Sequence, residues 1–270
     1  MSFYTSLNGL KNAQTDLGVI SNNIANAETN GFKKSTVAFS DIVAGSAFTN
    51  PKLLIGIGAT VEAINQNFKQ GPVEQTGNAL DLVVNGDGFF TTKSAISGDT
   101  LYTRNGSFEI DQNGYLVRGN GNQLQAFATD AAGNVTGTTP QSVQIPATNA
   151  TGAQFAGVAV GKNGVITASY ADGTNVAVGQ IALATFLSPG GLRQEGSSNW
   201  TSTGLSGTAT YGGPDSGFYG GILSGALERS NVDLSEEMVG LITAQRNFQA
   251  NAKAIDTASQ ISQTIINMHT

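Results

Sequence analysis

The chain has 270 residues, 39% apolar and 12% charged, with 35 glycines, 6 prolines, no cysteine and a formal charge of −6. That length is enough for one large or two modest domains, the missing cysteines exclude disulfides and thiolate metal sites, and the acidic balance argues against general nucleic-acid binding. Abundant glycine with little proline favours tight turns between short strands, and the sparse charge leaves a surface of Asn, Gln, Ser and Thr that suits packing against copies of itself.

Phe3, Leu7, Leu10, Leu17, Ile20 and Ile24 fall at three- and four-residue steps, with Asn8, Lys11, Asn12, Asp16 and Asn22 between them. This spacing predicts a helix over 3–27 with a narrow apolar stripe close to a heptad seam. Gly9 and Gly18 weaken it by roughly 1 kcal/mol each, and Asn30-Gly31 is a stop signal. Lys11 and Asp16 are its only charges and no continuous apolar run is present, so no cleaved leader is expected and export would proceed without one. No stretch is long enough to span a membrane, so no membrane insertion is expected.

Residues 32–75 read as an extended connector. From Leu80 onward the pattern is strands and turns. Leu80–Val84 runs into Asn85-Gly86-Asp87-Gly88. Tyr102–Ile110 alternates, with Tyr102, Arg104, Gly106 and Phe108 on one side. Asp111-Gln112-Asn113-Gly114 is a turn before Tyr115-Leu116-Val117, and Asn163-Gly164 and Asp172-Gly173 mark further reversals beside 165–167 and 181–186. Residues 190–221 are Gly/Ser-rich and read as irregular. At the other end Asp233 is a plausible N-cap, with Glu236 in capping-box position. Leu234, Met238, Leu241, Phe248, Ala252, Ile255 and Ile266 then keep a three-four rhythm, and Ile242, Ile261 and Ile265 broaden the stripe. A helix over 233–268 would be about 50 Å long. The fold class is therefore α+β: a mainly β body, with long N- and C-terminal helices that pair. The two helices either rest on a core of their own or form a coiled-coil-like pair that completes its burial on neighbouring subunits. In the second case residues 1–31 and 226–270 are a polymerisation domain, and 76–225 an antiparallel β outer domain.

Catalytic chemistry is hard to place. His269 is the single histidine and sits next to the C-terminus, which defeats most triad and metalloenzyme layouts. Asp81, Asp87, Glu109 and Asp111 lie in or beside turn sequences, where capping explains them better than paired acid–base work. Gly56-Ile57-Gly58 and Gly119-Asn120-Gly121 do not complete a phosphate loop. Residues 111–114 lack the closing Glu of a calcium loop and read as a hairpin turn. No enzyme activity, cofactor or metal is expected.

Several blocks carry a family signature. Ser2-Phe-Tyr-Thr-Ser-Leu-Asn-Gly-Leu10, Ser21-Asn-Asn-Ile-Ala-Asn26 and Asn30-Gly-Phe-Lys33 resemble the N-terminus of bacterial flagellar rod and hook proteins. Thr76-Gly-Asn-Ala-Leu-Asp-Leu82, Gly86-Asp-Gly-Phe-Phe90, Tyr102-Thr-Arg-Asn-Gly-Ser-Phe108 and Gly114-Tyr-Leu-Val117 resemble their body. Ser224–Leu234 and Ala244–Asn251 resemble their C-terminal segment. Within that family Met1–Leu7, Leu124-Gln-Ala-Phe127 with Asn134-Val-Thr-Gly137, and Ser188-Pro-Gly-Gly-Leu192 lean towards the hook members, although those are commonly larger.

The resemblance implies a hook subunit that polymerises into a flexible hollow tube, transmitting torque and passing exported chains. The alternative within the family is a distal or proximal rod subunit. The alternative from another class is a secreted carbohydrate-binding or carbohydrate-active protein, which would need Trp200 or paired acids in a cleft. The implied partners are copies of itself, rod, hook-cap and hook–filament junction proteins, and the export apparatus, at an extracellular site in the hook and basal body. The implied subunit interface is Phe3, Leu7, Leu10, Leu17, Ile20, Ile24, Leu234, Met238, Leu241, Phe248, Ile255 and Ile266, and the polar Asn247, Asn251 and Asp256 could line the channel. A polar, Gly-rich outer surface would let neighbouring bodies slide.

Overall fold

The computed structural model describes residues 2–44, 55–119, 121–130 and 133–268. His269 and Asn120 lie outside the described residues. Helices Ser2–Ala25 (α1) and Leu234–Met268 (α2) bracket a chain of antiparallel strands, and the two helices pair. The fold is mainly β with paired terminal helices, in the α+β class. By contact the described residues divide into two units, one drawn from 1–27, 34–67 and 232–270, the other from 28–33 and 68–231.

The first unit holds both helices and a two-stranded ladder, Ser35–Ala44 (β1) against Ile55–Gln66 (β2). The extended connector expected over 32–75 is therefore, through most of its described length, a long hairpin ladder. Its pairing joins Ser35 to Gln66, and register shifts at Ala38/Phe39 and Ile42/Val43 break simple alternation. No Asn-Gly or Asp-Gly dipeptide joins the two strands, so the usual sequence signal of a hairpin is missing. α1 lies on this ladder through polar side chains: Asn12 Nδ2 donates to Ala59 O at 2.8 Å, and Asn8 sits against Gly58. Asn8 and Asn12, polar positions between the residues of the apolar stripe, thus face β2. α2 starts where expected, with Asp233 Oδ1 accepting from Ser235 N (2.8 Å) and Glu236 N (3.2 Å).

The second unit is a β body. Among the described residues one large sheet runs in the order Phe155–Val160, Val165–Tyr170, Asn175–Ile181, Gln123–Phe127, Phe89–Lys93, Thr100–Thr103, Asn199–Thr201, Arg193–Gly196, with all pairs antiparallel. Asn163-Gly164 and Asp172-Gly173 make the expected reversals on either side of Val165–Tyr170, whose Ile166, Ala168 and Tyr170 point inward. Asp111 Oδ1 accepts from Asn113 N and Tyr115 N, which fixes the 111–114 turn. The main core gathers Leu82, Phe90, Phe108, Leu124, Ile166, Ile181 and Leu183.

Two strand expectations change. Strand Thr100–Thr103 stops before Arg104, because Gly106 O accepts from Leu82 N (2.9 Å) and Ser107 bridges Asp81. Tyr102 and Phe108 then belong to different clusters rather than one face. Residues 190–221, expected as irregular, contain short strands Arg193–Gly196, Asn199–Thr201 and Thr210–Gly212. Such short strands, held by long-range partners, leave no periodicity to read.

Candidate assembly site

The two helices meet in an antiparallel register. Gly9 faces Asn251, Ile20 faces Gly240, and Asn23 Nδ2 bonds Glu237 Oε2 at 3.1 Å. The numbers of each pair add to 260, which is one straight seam. At Gly9 a Cβ would lie 2.4 Å from Asn251 Oδ1. The glycine that weakens the isolated helix is thus what admits its partner closely. On α2 the side facing α1 repeats as Glu237, Leu241, Ala244, Phe248, Asn251, Ile255 and Ala258, all buried or half-buried, in alternating four- and three-residue steps.

That register levels Ser2 with Ala258, so residues 259–268 extend past the start of α1. Ile261, Ile265, Ile266 and Met268 on this overhang are exposed. At the other end of α2, Leu234, Met238, Val239 and Ile242 are exposed too. Between 243 and 260 no large apolar side chain of α2 is exposed, and Arg246, Asn247, Lys253 and Asp256 occupy the outer surface. α2 is therefore apolar at both outer ends and polar in the middle.

The residues expected at a subunit interface separate into two groups. Leu7, Leu10, Leu17, Ile20, Ile24, Leu241, Phe248 and Ile255 are half-buried or buried within this chain. Phe3, Leu234, Met238 and Ile266 are exposed. Of the polar residues expected at a channel, Asn247 and Asp256 are exposed, while Asn251 lies in the seam against Gly9. Periodicity finds an apolar stripe but does not say whether its partner is in the same chain.

Sequence reasoning missed the polar hub of this unit. Asn23, 1% exposed, accepts from Ser35 N (3.0 Å) and donates to Ser35 O (2.8 Å) and to Glu237. One amide so ties α1, β1 and α2 together. Lys34 Nζ reaches Glu236 (2.9 Å) and Glu237 (3.1 Å). Burial works against the Lys34 charge, but the hydrogen bonds that Lys34 donates to the two glutamates outweigh it and raise its pKa. Burial, and then Glu237, raises the pKa of Asp16. The family block Ser21–Asn26 contains Asn23, and that was the available signal.

The β body has its own buried clasp. Lys33 Nζ lies 2.5 Å from Glu228 Oε1, and both side chains are fully buried. Arg104 Nη1 lies 3.6 Å from Glu228 Oε2 and donates to Val84 O (3.2 Å), with its guanidinium 5.3 Å from the Phe89 ring. Gly71 N also donates to Glu228 Oε1, and Lys33 Nζ to Lys69 O. Gly31 N donates to Glu228 O at 2.8 Å with φ +68°, and a Cβ there would sit 2.5 Å from Asn105 N. Burial lowers the pKa of Lys33 and of Arg104, with Glu228 opposing the shift in both cases. Three blocks far apart in sequence, 30–33, 102–108 and 224–234, thus meet at one cluster of charges.

Trp200 is buried on Phe68 and Phe89, with ring centroids 5.5 and 5.9 Å away, and offers no platform to a sugar. Among the described residues no group of three or more His, Cys, Asp or Glu could hold a metal, and no helix is long and apolar enough to cross a membrane. The body surface is less polar than its composition implies. Leu187, Leu205 and Phe218 are 97%, 84% and 93% exposed.

Paired terminal helices with bare apolar ends, and a β body closed by its own salt bridge, describe a structural subunit. Comparison with known proteins makes the class specific. The family description "Flagella basal body rod protein" matches residues 3–33, "Flagellar hook protein FlgE/F/G D1 domain" matches 83–168, and "Flagellar basal body rod FlgEFG protein C-terminal" matches 223–268. The flagellar basal-body rod protein FlgG of Bacillus subtilis is 39% identical over 280 residues, covering 99% of this chain and 98% of the relative. FlgG of Agrobacterium fabrum is 32% identical over 270 residues, covering 95% of each. The flagellar hook protein FlgE of Salmonella typhimurium is 27% identical over 410 aligned residues, covering 99% of this chain and all of the relative. The chain belongs to the flagellar rod and hook axial protein family, and it is a structural subunit of the bacterial flagellum.

Proposed function

We propose that the chain is a hook subunit that polymerises into a flexible hollow tube, carrying motor torque and leaving a channel for exported chains. The observation that carries this reading is the α2 overhang, with exposed Ile261, Ile265, Ile266 and Met268 beyond the seam with α1. Burying the remaining exposed half of four such side chains would contribute about 3–6 kcal/mol before ordering costs. The apolar ends of α2 are about 40 Å apart at 1.5 Å rise per residue. A contact that joins the tail of one copy to the head of another grows a filament wherever its rotation does not close a ring.

In this reading α1 and α2, within 1–31 and 226–270, form a coiled-coil-like inner domain that the ladder within 32–75 joins, and 76–225, together with 28–33 and 226–231, forms the outer body. Asn247 and Asp256 would face the channel. The subunit would meet rod, hook-cap and hook–filament junction proteins outside the cell, and carry out no catalysis.

A rod subunit is the second reading. It is favoured by the near end-to-end match to the FlgG protein of Bacillus subtilis, whereas the Salmonella hook alignment runs to 410 positions. Purified chain, concentrated and imaged by electron microscopy, separates the two. Curved or polymorphic tubes support the hook, uniformly straight tubes the rod, and no polymer at any concentration with or without a preformed seed overturns both.

A further inference from the structure

Seven Asn-Gly pairs punctuate the chain, at 8–9, 30–31, 85–86, 105–106, 113–114, 120–121 and 163–164. This dipeptide carries a reaction as well as a turn. The glycine nitrogen can attack the carboxamide carbon before it, because a residue without a Cβ leaves the approach open. A glycine N–H that is already hydrogen-bonded has to give up that bond first.

The fold occupies six of the seven. Gly9 lies inside α1, where its N–H belongs to the helix ladder. Gly31 N donates to Glu228 O (2.8 Å), Gly114 N to Asp111 O (3.0 Å), Gly121 N to Arg118 O (2.6 Å) and Gly164 N to Gly161 O (2.8 Å). Gly86 N donates to Gln70 Oε1 at 3.3 Å. Gly106 N has no acceptor among the described residues.

The Asn105 side chain is also held ready. Its Oδ1 accepts from Ser107 N at 3.1 Å, and its own N–H donates to Thr103 Oγ1 (3.1 Å). The first bond keeps the carboxamide against the backbone that follows, and it steadies the oxygen on which charge develops during attack. Asn163 has the same side-chain bond, from Val165 N at 3.3 Å, but its glycine is engaged. Asn105 is half-buried, so water reaches it.

We infer that Asn105 is a site of spontaneous modification, passing through a cyclic imide to isoaspartate or aspartate. Gly106 N bonds to Asn105 Cγ, the Cγ–Nδ2 bond breaks, and Nδ2 leaves as ammonia with the proton of Gly106 N. Water then opens the imide at either carbonyl. The isoaspartate product carries the main chain through one added methylene and places a negative charge next to Arg104. A Cβ on Gly31 would lie 2.5 Å from Asn105 N, so residue 105 packs on the stretch that carries Lys33. Lengthening the backbone there pushes against the Lys33–Glu228 clasp, and the body loosens as the protein ages.

The full-length chain is held in warm, mildly alkaline buffer, with and without strong urea, and isoaspartate is located by mass spectrometry of its peptides. In the folded chain position 105 should convert about tenfold faster than 30, 85, 113 or 163, the factor that one hydrogen bond adds to a barrier. In urea that lead should vanish. Gln70→Ala frees Gly86 N and should bring position 85 up towards 105, with native Trp200 fluorescence showing that the fold is kept. The comparison between folded and urea samples stands whether or not that variant folds. A folded chain in which 105 is no faster than the other pairs overturns the inference. So does a lead that persists in urea, which would assign it to the local sequence, and so does a natively folded Gln70→Ala chain in which 85 stays slow.

Discussion

Replacing Glu228 by Gln removes the negative charge between Lys33 and Arg104 and keeps the shape of the side chain. The amide oxygen can still accept from Gly71 N, so the loss is electrostatic. Lys33 and Glu228 are both fully buried, and the second oxygen of Glu228 has Arg104 as its charged neighbour. Removing one partner of a buried pair strands the other charge and costs about 3–5 kcal/mol. At about 2–4 °C per kcal/mol for a unit of this size, 3 kcal/mol lowers the melting temperature by about 6–12 °C. Trp200 is the natural probe: it is the one tryptophan, it is buried, and it packs on the Phe89 ring that carries Arg104. Its fluorescence is followed through thermal and urea unfolding of both proteins. Lys33→Met with Glu228→Gln removes both charges of the pair, keeps an acceptor for Gly71 N, and should be less damaging than Glu228→Gln alone. A loss below about 1 kcal/mol for Glu228→Gln would falsify the view that this cluster closes the body.

Ile261→Asp with Ile265→Asp should leave the Trp200 unfolding curve unchanged and abolish tubes, and normal tubes would refute the overhang as an assembly surface. Leu241→Glu, on the seam, should instead loosen the helix pair within the monomer, seen as lost ellipticity at 222 nm before any effect on tubes is scored. Gly9→Leu should weaken the same pair, because its side chain meets Asn251; Asn251→Ala should restore part of the helicity, and no rescue would show that the register is wrong. Burial and the Tyr211 hydroxyl, 2.9 Å away, raise the Tyr102 pKa well above its ordinary 10.0. The unfolded chain therefore loses this proton first, and Tyr102 stabilises the fold fully below pH 10 and progressively less above it. The fall in stability between pH 9 and pH 11 should be smaller in Tyr102→Phe, by up to about 1.4 kcal/mol per pH unit, as read by urea unfolding at each pH.

The local signals were the legible ones. Asn163-Gly164, Asp172-Gly173 and the 111–114 turn each announce a reversal through residues that suit left-handed or side-chain-bonded turns. Asp233 announces the start of α2 in the same way. What could not be read was long-range. The β1–β2 ladder has no turn dipeptide, and the strands within 190–221 are three or four residues long. The stripe on α2 is one pattern serving two purposes: Leu241 and Ile255 close the pair inside the chain, while Met238 and Ile266 remain bare. Asn8 and Asn12 are polar yet turned to β2, because strand carbonyls need donors as much as a core needs carbon. Leu187, Leu205 and Phe218 are scattered among glycines and serines, where no periodicity collects them into a surface. A fragment cut at 225 would seem natural from sequence, yet it discards Glu228 and leaves Lys33 without its counter-charge; residues 28–33 and 226–231 have to stay with the body.

The chain first comes into the β body at 28–33, leaves it for 34–67, returns at 68 and leaves it for the last time at 226–231, and Gly31 and Glu228 hold the first and last of these passages one hydrogen bond apart. Tension between the two crossings would be borne first by this short stretch, across the Lys33–Glu228 pair, before any strand of the large sheet is strained. Under mechanical load the body would behave as a buckled loop: sound while the buckle holds, and exposed to stepwise tearing once it opens. If the proposed tube carries torque, resistance to rupture would then be set at this one catch rather than by the size of the sheet behind it.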